Sequence, residues 1–115
     1  MLTNLLSKPV KNLEQQILDD LIDSAKREAK VISNLSQAKF DELDATMIFD
    51  SALAAIIEYN AMVAGYVSGL TQERIDLLEF HVTNARNFLS SIQDNLSIVN
   101  IKVPKIGQIG DLYEF

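Results

Sequence analysis

Cysteine is absent from the 115 residues, histidine occurs once and proline only twice. Without thiols the chain has no disulfide, no thiolate metal site and no cysteine nucleophile. One histidine cannot build a His-Glu-x-x-His zinc site. The Glu-x-x-His pattern of dimetal helix bundles also fails, because Leu78 stands three residues before His81. The four glycines, Gly65, Gly69, Gly107 and Gly110, form no phosphate-binding loop. No serine sits in a nucleophile elbow. Ten basic residues face sixteen acidic ones, a formal charge of -6, so phosphate is repelled and broad binding to nucleic acid or anionic lipid is disfavoured. The densest basic group, Lys26, Arg27 and Lys30, has Glu28 in its midst. Long apolar runs are missing too. The longest charge-free stretch, Tyr59 to Gln72, is too short to span a bilayer. Met1-Leu2-Thr3 opens no basic-then-apolar pattern, so no secretory leader is expected. The expectation is one soluble, cytoplasmic domain with no metal and no cofactor.

What is present is helical periodicity. Hydrophobic residues make up 48% of the chain and charged residues 23%, a balance too apolar for disorder. Ile75, Leu78, Val82, Ala85, Leu89, Ile92, Leu96 and Val99 follow a 3-4-3-4-3-4-3 rhythm, the stripe that packs against partner helices. It predicts a helix from about 71 to 100, with Thr71 as its N-cap. An earlier amphipathic helix is expected from about 12 to 36, with an Asn12/Gln15 capping box and an exit at Asn34-Leu35-Ser36. Between them, a helix from about 41 to 67 opens on Asp41, Glu42 and Asp44, which suit the positive end of its dipole. Beyond Met47 this helix is apolar nearly all round. It must be covered on every side, so a fourth helix is expected from the tail or from a second copy.

The fold class expected is therefore all-α: three long antiparallel helices completed to a four-helix or larger bundle by dimerisation. Residues 101–115 follow as an extended docking tail. The interface is expected at Met47, Phe49, Ala54, Ala61 and Gly65 of the second helix, at Leu77, Phe80 and Phe88 of the third, and at Tyr113 and Phe115.

Chemistry is sparse. Asp50 and Glu58 sit in the most apolar helix, where a carboxylate is either a perturbed acid or a paired structural group. Asn60 offers a hydrogen bond across a helix interface. His81 suits a packed helix flank. Arg74 and His81 are seven residues apart and share one helical face; together, arginine to hold phosphate and histidine to move a proton suit ribonuclease chemistry.

From about Asp41 to Phe115 the chain resembles the HEPN family of small helical bundles, many of them dimeric ribonucleases of toxin–antitoxin and defence systems. The resemblance rests on Phe49-Asp50-Ser51-Ala52-Leu53-Ala54-Ala55, on the break from Gly65 to Gly69, on Leu78-Glu79-Phe80-His81 and on Gly110-Asp111-Leu112-Tyr113. It implies Arg74 and His81 as catalytic residues. The chain departs from the family where Ile75 follows Arg74 in place of a polar residue, and where the spacing to His81 reaches the upper limit. The leading expectation is a non-enzymatic interaction or oligomerisation module whose partners are itself and another protein. The alternative is a HEPN-like ribonuclease or an inactive relative.

Overall fold

Pro9 stands in the first turn of a helix, where its missing N–H has no partner to lose. That helix, α1 (Lys8–Lys11), follows a short 3-10 turn over Leu2–Leu5. A computed structural model describes the backbone of residues 2–101 and the side chains of residues 2–92. Four further helices follow: α2 (Gln15–Ser33), α3 (Gln37–Asp44), α4 (Asp50–Val63) and α5 (Gln72–Ile101). The described residues are all-helical, with no strand among them. The expectation of a docking tail falls almost entirely on residues 102–115 and lies outside the described residues.

Local chemistry sets most boundaries. Asn34 adopts the left-handed conformation at φ 55° and ends α2. Its N–H reaches the Val31 carbonyl at 3.2 Å, while the Leu35 N–H reaches that of Lys30 at 3.4 Å, the paired closure of a Schellman turn. Ser36 accepts from the Lys39 N–H at 3.2 Å and starts α3. Gly65, at φ 83°, closes α4 in the same way, with Tyr66 N–H on Ala61 and Gly65 N–H on Met62. Thr71 Oγ1 accepts from the Arg74 N–H at 3.1 Å, the cap expected for α5.

Two boundaries differ from expectation. No capping box forms at Asn12: Glu14 precedes α2 without a side-chain cap, and the Asn12 N–H closes α1 on the Lys8 carbonyl. More consequentially, the expected helix over 41–67 is two helices joined by a turn at 45–49. Thr46 Oγ1 donates to the Leu43 carbonyl at 2.6 Å, a local bond that competes with helix continuation. Met47 then takes a left-handed φ of 65°. The reversal lays the Phe49 ring on Phe40, with centroids 4.8 Å apart and planes 8° from parallel. Both rings are buried.

α4 occupies the centre. It packs against α2, α5 and the N-terminal 3-10 turn, and α2 also packs against α5. Leu53, Ile56 and Ile57 of α4 are fully buried, as is Leu89 of α5. Each such side chain contributes roughly 1.5–3 kcal/mol by leaving water. Over residues 75–92 the seam of α5 faces inward: Leu78, Val82, Ala85, Leu89 and Ile92 are all buried and Ile75 is half-buried, while Leu96 and Val99 lie outside the residues whose side chains are described. Ala25 and Ala29 of α2 have no exposed surface, and their small side chains let the helices approach closely. The cover expected from the tail or a second copy is supplied in part by the N-terminal segment, whose Leu6 and Val10 are buried in the common core. Partly exposed ion pairs join the outer faces: Arg86 to Glu28 at 2.8 Å (α5 to α2), and Lys26 to Asp44 at 3.2 Å (α2 to α3). Arg86 also lies over the Tyr59 ring, 5.8 Å from its centroid.

Candidate functional site

On α5 a second stripe runs beside the buried seam. Arg74, His81 and Phe88, each seven residues from the next, share it and line an open groove of about 750 Å³. The facing wall is the small-residue side of α4, Ser51, Ala52 and Ala55, and the far wall is Leu5, Leu6 and Ser7 of the N-terminal segment. Space exists because α4 presents alanine and serine where α5 presents Leu78 and Phe88. Three rim residues are large, apolar and about half exposed: Leu5 at 51%, Ile48 at 46% and Phe88 at 41%. Farther round the same flank of α5, Leu77 is 44% exposed and Phe80 60%.

Glu58 is the carboxylate on the groove wall, and it is committed elsewhere. Its Oε2 accepts from the Ser7 N–H at 2.6 Å and its Oε1 from the Ser7 hydroxyl at 2.9 Å. A residue on α4 thus satisfies a donor at the start of α1 and fastens the N-terminal segment to the core. That is a structural use of the carboxylate considered for acid–base work. Asp50, the other, lies in the first turn of α4. Asn60 lines a second, smaller depression between α2 and the end of α4, with Asp20 and Tyr66.

Arg74 and His81, read from the sequence as a pair, do line one groove, and both are exposed. Seven residues of helix place their Cα atoms about 10 Å apart along the axis, so a ligand touching both must bridge two turns. The His81 ring meets the Phe80 ring edge to face, with centroids 5.7 Å apart. Among the described residues no group of three or more His, Asp or Glu side chains is placed to hold a metal ion. Nor is any helix there long and apolar enough to cross a membrane.

The residues expected at an intermolecular interface divide into three groups. Met47, Leu77, Phe80 and Phe88 are exposed. Phe49, Ala54 and Ala61 instead lie in the chain's own core, Ala54 and Ala61 because the N-terminal segment, α2 and α5 surround α4, and Phe49 because the turn before α4 stacks it on Phe40. Gly65 is exposed in the turn that closes α4, and Tyr113 and Phe115 lie outside the described residues. Sequence reasoning missed the N-terminal wall. Its signal was available in Leu2, Leu6 and Val10, apolar residues spaced four apart on either side of Pro9. Ile48 was read as one more residue of a continuous helix and so was not placed at a rim. Comparison with protein-family models, with curated proteins and with solved structures finds no match for this chain.

Proposed function

We propose that the chain is a non-enzymatic helical interaction module of the cytoplasm whose working surface is the α4–α5 groove, engaging a further copy of itself and another protein. The observation that supports this is the groove's lining: small and apolar side chains along α4 and the N-terminal segment, a rim of half-exposed Leu5, Ile48 and Phe88, and a wall carboxylate already bonded to Ser7, with Arg74, His81 and Asn84 as the polar groups of the α5 wall. An amphipathic helix laid into such a groove buries its apolar face against preformed walls. A photo-crosslinking residue placed at Phe88 in living cells is expected to give protein adducts that are lost in the Ile48→Asp background. Absence of any protein adduct would count against the reading.

The second reading, a HEPN-like ribonuclease, is favoured by one observation, that Arg74 and His81 line the same groove. Incubating the protein with a mixed RNA pool beside the Arg74→Ala/His81→Ala double variant separates the two. The module predicts no cleavage by either. Cleavage by the wild type that disappears in the variant would promote the nuclease.

A further inference from the structure

We propose that the occupant of the groove is a second copy of this chain, docked through a twofold antiparallel pairing of α5 centred on His81. This rests on the reading of the groove as a docking surface and names what docks there.

Area is the first argument. Leu5, Ile48, Leu77, Phe80 and Phe88 are 51, 46, 44, 60 and 41% exposed. At roughly 200 Å² for a fully exposed aromatic side chain, the two phenylalanines alone present about 200 Å² of apolar surface, and Leu5, Ile48 and Leu77 extend it. A standard interface takes about 800 Å² from each partner, and roughly 56–65% of that is apolar, or about 450–520 Å². The patch therefore supplies a large part of the apolar area that a stable dimer takes from each copy, and contiguous apolar patches on a monomer are often functional.

Shape and charge then select the arrangement. An isologous interface uses the same surface twice, so every protruding group must meet a recess of the same chain. In an antiparallel pairing about His81, Leu77 of one copy lies opposite Ala85 of the other. A large exposed side chain thereby enters the groove at one of its small, buried wall residues. Arg74 comes opposite Phe88 of the second copy, a cation set against a half-exposed aromatic ring. A parallel pairing would instead stack Arg74 on Arg74 and leave Leu77 against Leu77 at the rim. The antiparallel register separates the like charges and fills the recess.

The test uses the full chain. Sedimentation equilibrium at micromolar concentrations is expected to show a species of twice the 12.8 kDa chain mass. Leu77→Asp and Phe80→Asp, both at exposed positions, are expected to raise the dimer dissociation constant at least about tenfold with helical circular dichroism unchanged. Because the chain has no cysteine, His81→Cys gives a clean register probe. A disulfide requires Cα atoms within about 7 Å, so oxidation should link two copies at position 81. Thr83→Cys, on the far side of α5, should not be linked. A monomer at every concentration overturns the inference, while Phe88 adducts with a different protein would leave the module reading standing. A dimer indifferent to both aspartates overturns the choice of face. A dimer weakened by them but not linked through His81→Cys overturns the antiparallel register.

Discussion

Glu58→Ala tests how the N-terminal segment is held. The Glu58 carboxylate accepts two hydrogen bonds from Ser7, at 2.6 and 2.9 Å, from a residue 51 positions away in sequence. Hydrogen bonds to a charged group contribute about 1.5–3 kcal/mol each. Both of these are only partly buried, which puts each near or below the low end, so losing the pair should cost about 2–3 kcal/mol. Ser7→Ala removes the hydroxyl bond alone and leaves the N–H bond in place, at a cost of about 1 kcal/mol. The two substitutions share one interaction, so the double variant should be little less stable than Glu58→Ala alone. For a domain of this size about 2 kcal/mol corresponds to a fall in Tm of roughly 10 °C. Urea unfolding of the four proteins measures the cycle. Hydrogen exchange adds a local readout: the Ser7 N–H should lose protection in Glu58→Ala before the amides of α4 do. If Glu58→Ala is no more destabilising than Ser7→Ala, the carboxylate does not fasten the segment and this account of the groove's far wall is wrong.

Leu89→Asp should unfold the protein, since Leu89 has no exposed surface and an unpaired buried charge costs several kcal/mol. Asn87→Asp, on the exposed side of α5, should leave thermal stability almost unchanged, and equal Tm values for the two would show the seam misplaced. Met47→Gly should stabilise the chain by about 0.5–1 kcal/mol, because Met47 is exposed and held at φ 65°. A lower urea midpoint in that variant would mean that the methionine side chain contributes more than its backbone strain costs. Gly65→Ala should do the reverse, losing about 1 kcal/mol, since no atom lies within 4 Å of the added Cβ and the φ of 83° alone opposes it.

The pattern of agreement follows the range of the interaction. Two helix ends set by local chemistry were legible, Asn34 in its left-handed turn and Thr71 on the Arg74 N–H, whereas the Asn12/Gln15 capping box expected on the same grounds does not form. The buried stripe of α5 was legible because a single helix fixes the angular relation of Leu78, Val82, Ala85 and Leu89 whatever surrounds it. For the same reason the sequence could put Arg74, His81 and Phe88 on one side. The break at 45–49 was not legible. Ala45 to Phe49 continue the apolar pattern of the helix beyond, and only the stacking of Phe49 on Phe40 gives the reversal its purpose.

Composition and periodicity by themselves thus determined the all-helical character of the described residues, the inward face of α5, and the absence of thiol chemistry. Which surface of α4 would be covered, and by what, was decided only in three dimensions. Apolar character states that a residue must leave water, and it does not say which neighbour removes it. In the folded chain Leu6 and Val10 take that place, held by a carboxylate far along the sequence. Tertiary packing therefore placed Phe49, Ala54 and Ala61 inside and left Leu77, Phe80 and Phe88 exposed on the flank of the groove.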